Sequence, residues 1–162
     1  MKILSIDPSS NFHESSTTGI ILLDNATEVT HWLVEYGVEN FKDWFETTGK
    51  TLDCDVVVVE RFIVRENERA RDNTPIQTVE AIQKCYPEAQ LISNNAYKTT
   101  VPDKLLKLLN LWTFPEKSNH DDLRAAARLG LHWAVMNEVY EVIQAIGKKV
   151  YQKEKDYFCL LY

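Results

Sequence analysis

Two carboxylates stand where a folded chain rarely leaves a lone charge. Asp7 ends the apolar run at residues 2–6, and Glu60 ends four consecutive valines at residues 56–59. Desolvating a carboxylate at the end of an interior strand is costly. If the two strands are parallel neighbours, Asp7 and Glu60 emerge at the same edge of the sheet. A third acidic source, Asp121-Asp122, falls in the first turn of the last long helical pattern. Carboxylates converging on one point repel unless a cation or shared protons compensate. Oxygen ligands with open water positions suit Mg²⁺, for which Mn²⁺ can substitute. Two such ions can activate a water and stabilise the leaving oxygen of a phosphodiester. Each residue also has an ordinary reading. Asp7 can open an Asx-type turn, Glu60 can pair with a nearby arginine, and Asp121 and Asp122 favour a helix N-terminus.

The elements that must position these groups follow from pattern. Residues 2–6 form a short β-rich run stopped by the breaker Asp7-Pro8-Ser9-Ser10-Asn11. Residues 17–23 and 28–36 read as two further strands, the first ending at the turn signal Asp24-Asn25. Short loops between the three imply an antiparallel meander. In residues 40–48, Phe41, Trp44 and Phe45 make a helical stripe. The valine run, residues 55–60, suits a strand covered on both faces. Residues 74–86 open with Thr74-Pro75, suited to N-cap and N1, and space Ile76, Val79, Ile82 and Cys85 as a helix. Residues 90–93 read as a fifth strand and 103–111 as a helix. Residues 119 to about 146 read as a long helix, with Gly130 a candidate break. A meander followed by alternating strands and helices implies an α/β fold, a mixed five-stranded sheet with helices on both faces.

Composition sets limits. A chain of 162 residues with 44% hydrophobic residues can bury one core, so a single domain is expected. No apolar run is long enough for a bilayer, and the start lacks a secretory pattern. Cys54, Cys85 and Cys159 are odd in number and far apart, fitting reduced thiols in a cytoplasmic protein. The net charge of −6 argues against holding nucleic acid by bulk charge, although basic residues can still gather on one face.

Three stretches resemble the RuvC family of Holliday-junction resolvases. Ile3-Leu4-Ser5-Ile6-Asp7-Pro8-Ser9-Ser10, followed by Thr18-Gly19-Ile20, is similar to that family's opening. Val56-Val57-Val58-Val59-Glu60-Arg61-Phe62 resembles its second acidic motif. Asn119-His120-Asp121-Asp122-Leu123-Arg124-Ala125-Ala126-Ala127 resembles its C-terminal acidic helix. The resemblance spans nearly the whole chain in order. It implies a ribonuclease H-like fold, a homodimer, and metal-dependent cleavage of four-way DNA junctions, with Asp7 and Glu60 as metal ligands. The chain departs from the pattern in places. Ser9 replaces the usual glycine, and residues 11–16 lengthen the first hairpin. The last motif offers Asp122 as third carboxylate with Asp121 secondary, and Asn119 or His120 as a fourth ligand.

Arg61, Arg65, Arg69 and Arg71 could contact phosphates, or lie in a solvated loop offset by Glu66, Glu68 and Asp72. Phe62 is a base-stacking wedge or a core aromatic. Lys98, Lys104 and Lys107 line a DNA groove or form the polar side of helices. Lys148, Lys149, Lys153 and Lys155 read as a solvated basic tail. In residues 120–134, Arg124, Arg128 and His132 define a polar stripe opposite the small residues. Trp44 and Phe45, or the helix at 74–86, are candidates for a dimer contact. Among rival functions, an actin- or sugar-kinase-like ATP site needs glycines that Ser9-Ser10-Asn11 lacks. A proofreading exonuclease needs Asp-x-Glu, and Asp7-Pro8-Ser9 does not fit. A catalytically weak DNA-binding protein on the same fold remains the alternative.

Overall fold

The first strand, β1 (Lys2–Asp7), buries Ile3, Leu4, Ser5 and Ile6 completely, on both of its faces. Side chains alternate along a strand, so such a run needs cover on each side. A computed structural model, which describes residues 1–25, 28–64 and 72–161, supplies it. β2 (Thr17–Asp24) pairs antiparallel with β1, and β3 (Glu28–Glu35) antiparallel with β2. β4 (Val56–Glu60) pairs parallel with β1, and β5 (Gln90–Ile92) parallel with β4. The sheet order is β3-β2-β1-β4-β5. The expected meander-then-parallel sheet is therefore present.

The alternation divides the core in two. Leu4, Ile6, Ile20, Val57 and Val59 face α1 (Gly37–Thr47) and α2 (Pro75–Cys85), meeting Phe41, Trp44 and Ile82. Ile3, Ile21, Leu23 and Val58 face α5 (His120–Met136), meeting Leu123, Ala126 and Ala127. Between β5 and α5 lie two short helices, α3 (Tyr97–Thr100) and α4 (Asp103–Leu108); α6 (Tyr140–Leu161) follows α5.

Several expectations need correction. The long helix does not break at Gly130. A Cβ there would stand 3.0 Å from Ser5 Cβ and 3.0 Å from Leu23 Cδ1, so glycine serves the close approach of α5 to the sheet. The break comes after Met136, where Asn137 caps α5 and Glu138 takes a left-handed φ of 53°. The lysines at 148–155 lie on α6 and not in a tail. The helix expected at 103–111 stops at Leu108, and Asn110 is left-handed at φ 60°. Arg128 and His132 are not a solvated stripe, since they are only 5% and 8% exposed. The segment carrying α3 and α4 covers that side, and Arg128 donates to Val101 O and to Asp103 Oδ1. Trp44, 8% exposed, packs edge-on to Trp32 at 5.6 Å, and Phe45 packs edge-on to Tyr86 at 5.1 Å. Their rings fill the intramolecular core, which withdraws them as exposed dimer contacts. Among the described residues, no helix is long and apolar enough to cross a membrane.

Candidate active site

Parallel pairing of Ile6 with Val59 sets the next residues of both strands, Asp7 and Glu60, side by side at one sheet edge. Their carboxyls lie close enough to act on each other. Asp7 titrates well above the ordinary carboxylate range. Burial is the main cause, followed by the contact with Glu60, the charge of Glu60 and the charge of Asp122. Asn94, just past β5, donates to Glu60 Oε1 at 2.6 Å. Asp122 arrives from the opposite side on the first turn of α5. Its carboxyl is pushed up by burial, although the Thr17 hydroxyl donates to Oδ2 and acts the other way.

Small residues make that approach possible. A Cβ on Gly19 would stand 2.3 Å from the Asp122 carbonyl oxygen, so the backbones of β2 and α5 touch there. Further along, Ser5 Oγ donates to Ala126 O at 2.6 Å inside the core. The result is a cavity of about 530 Å³ whose walls include Asp7, Glu60, Asp122, Tyr97, Lys98 and Arg128. Tyr97 titrates above its ordinary value, through burial first and then the charges of Glu60 and Asp7. Among the described residues no three His, Cys, Asp or Glu side chains are already gathered as a metal cage. Asp7 and Glu60 form a pair, and Thr17 holds the Asp122 carboxyl to one side.

No protein-family model and no curated protein matches the sequence. Solved structures do match in shape. One is "T. thermophilus RuvC in complex with Holliday junction substrate", with a TM-score of 0.61 and 15% identity over 87% of this chain and 97% of that one. Another is the Thermus thermophilus RuvC structure, with a TM-score of 0.51 and 17% identity over 85% and 97%. The chain has the RuvC fold. That fold is the ribonuclease H-like arrangement of a mixed five-stranded sheet and helices. At this identity the likeness carries the fold alone.

Within the RuvC fold, the sequence-derived candidates separate. Asp7, Glu60, Asp122 and Asp121 all line the cavity. Asp121, however, has its side chain 92% exposed and pairs with Arg124 at 2.9 Å. Asn119 and His120 are not brought to the Asp7–Glu60 pair. They line a neighbouring cavity, and the His120 ring is turned to Glu116 O and packed against Phe114. Lys98 is at the acid cavity. Lys107 lies over the Trp112 ring at 4.6 Å, and Lys104 borders a groove between α4 and α6 away from the acids. Arg61 is exposed beside Glu60, and Phe62 is half-buried. Arg65, Arg69 and Arg71 lie outside the described residues. Asn94, Tyr97 and Thr17 escaped the sequence reading, and the polar stripe gave no sign that Arg128 is buried at the acid cavity. One signal was available for the first two: they directly follow a parallel strand, and such strand ends carry sites in α/β sheets.

Proposed function

We propose that this chain is a metal-dependent endonuclease that hydrolyses phosphodiesters in branched DNA, with four-way junctions its preferred substrate. The observation that carries the reading is the placement of Asp7 and Glu60 side by side at the ends of two parallel strands, lining one cavity with Asp122. An all-oxygen set suits Mg²⁺ or Mn²⁺. Mg²⁺ keeps several waters and needs only one or two protein carboxylates, so a pair is a sufficient anchor. When bound, the ion supplies an activated water and offsets the charge that develops on phosphodiester oxygens.

The residues of the chain divide the remaining work. Asp7 and Glu60 would hold the ion. Asn94 fixes the Glu60 carboxylate. Asp122 is the third oxygen source, with Thr17 setting its orientation. Lys98 puts positive charge on the cavity wall to meet phosphate. Two equivalent strands of a four-way junction call for two equivalent sites, which a two-fold homodimer provides. The Thermus thermophilus neighbour in complex with a Holliday junction substrate supports branched DNA as the substrate class.

One observation favours a second reading, a DNA-binding protein of this fold with weak catalysis. The Asp122 carboxyl is turned to Thr17, and no three-ligand cage stands assembled among the described residues. The two readings part on a labelled four-way junction compared with the same arms as linear duplexes. The nuclease reading expects cuts near the branch and intact linear arms. Tight junction binding with no cuts in Mg²⁺ or Mn²⁺ would select the second.

A further inference from the structure

The acid cavity has a neighbour of about 600 Å³, and Asp121, Asp122 and Arg124 line both. The two spaces therefore meet across the first turn of α5. The other walls of the second cavity are rich in donors: Ser15, Ser16 and His13 on the first hairpin, and Lys117 and Ser118 before α5. Hydroxyl and ammonium donors of this kind suit the oxygens of a phosphate.

Beside it stands Phe12, 71% exposed, at the tip of the lengthened hairpin. The loop that carries it is pinned. Phe12 N and His13 N both donate to Ser10 Oγ at 3.0 Å, and Ser10 Oγ donates in turn to Asp72. Asn11 N donates to Thr74 Oγ1 at 2.8 Å, and Asn11 Nδ2 to Gln77 Oε1 at 2.7 Å. Asn11 Oδ1 accepts from Val38 N at 2.9 Å. The His13 ring meets Phe12 edge-on, with centroids 5.1 Å apart. Leaving an aromatic ring in water forgoes the stabilisation of burial. Fixing the loop beneath it costs chain entropy as well. Both costs are offset when a flat apolar group stacks on the ring, and every nucleobase offers such a face.

We infer that Phe12 and this second cavity form a subsite for a nucleic-acid strand with an unpaired base, the base stacking on Phe12 and its phosphate bound by Lys117 and the serines. The subsite rests on the nuclease reading of the acid cavity, because the shared wall places its nucleotide beside the phosphodiester to be cut. Base pairs frayed at a branch supply such a base, whereas a fully paired duplex does not.

The test uses a four-way junction carrying 2-aminopurine at the branch nucleotides, titrated in EDTA with wild type, Phe12→Leu, Phe12→Trp and Lys117→Gln. Phe12 and Lys117 are exposed, so the variants fold, and unchanged melting curves check this. Wild type is expected to quench the 2-aminopurine. Phe12→Leu should lift the quench and weaken junction binding by roughly 5- to 150-fold, and Phe12→Trp should restore both. Lys117→Gln should keep the quench and reduce the salt slope of binding by about one. Phe12→Leu matching wild type in quench and affinity overturns the subsite, while wild-type junction cleavage in Mg²⁺ would leave the nuclease reading standing. Failure of the wild-type protein to bind branched DNA at all overturns both.

Discussion

Asp7 ties stability to chemistry at a single carboxyl. Folding raises its pKa above the ordinary 3.8, chiefly by burial and then by Glu60. Between those two values the folded chain holds a proton that the unfolded chain has released. Stability is therefore highest below 3.8, falls as pH rises through the folded pKa, and stays reduced at neutral pH. Asp7→Asn removes this penalty, since an amide needs no proton. It should melt higher than wild type at pH 7.5, by about 2–4 °C for each ~1 kcal/mol regained, and should not cut DNA. Mg²⁺ should raise the wild-type melting temperature and leave that of Asp7→Asn unchanged, which a thermal melt with and without the ion measures. At the other carboxyls, Asp122→Asn should lose far more junction cleavage than Asp121→Asn, with binding retained in both. Removing an outer partner of a metal ligand costs about 10–100-fold, and a direct ligand at least as much. Asp121 is solvated and paired with Arg124, so its loss should be nearly silent; equal, near-wild-type activity of the two variants would mean that Asp122 only starts a helix. Asp7 and Glu60 were legible in the sequence because a charge ending an apolar strand has few other reasons to be there. Asn94, Tyr97 and Thr17 were not, because ordinary polar residues become site residues only through the strand order that gathers them.

At the scale of elements, the site depends on how closely α5 lies on the sheet. Gly19→Ala would drive a Cβ to 2.3 Å from the Asp122 backbone oxygen, and that helix end cannot yield without carrying Asp122 away. A loss of about 1–3 kcal/mol in stability and a fall in cleavage are expected together, read by denaturant unfolding and a junction assay. Gly147→Ala on α6 is the contrasting case, with nothing within 4 Å of the new Cβ. It should stabilise the protein by roughly 0.5–1 kcal/mol with cleavage unchanged. The valine run announced a strand covered on both faces. The helix boundaries were less legible. Gly130 serves close packing, a role identical in sequence to that of a breaker, and the real break depends on Glu138 accepting a left-handed φ of 53°. The four-residue α3 is too short for any periodicity to reveal, yet it carries Tyr97 to the acids.

For the molecule as a whole, a net charge of −6 means that the proposed DNA binding would fall to local cations at the cavity mouth rather than to the overall field. On the proposed reading, two equivalent cuts in a four-way junction call for two chains. Light scattering should give the mass of two chains on a junction, and a single chain both free and bound would contradict the symmetric arrangement. Trp44 and Phe45 are spent on the core, so a two-fold contact must use other surface, such as the outer face of α2 with Gln77, Glu80, Gln83 and Lys84 exposed. The order of strands and helices along the chain put the two acids at one edge on the condition that β1 and β4 pair in parallel, which they do. The central claim is that these carboxylates hold a catalytic divalent ion, and its most direct test is cleavage of a synthetic four-way junction in Mg²⁺, in excess EDTA, and after Mg²⁺ is restored. The account predicts paired cuts near the branch in Mg²⁺, none in EDTA, recovery on restoration, and none under any condition for Asp7→Asn; wild-type cleavage that persists in excess EDTA would contradict it.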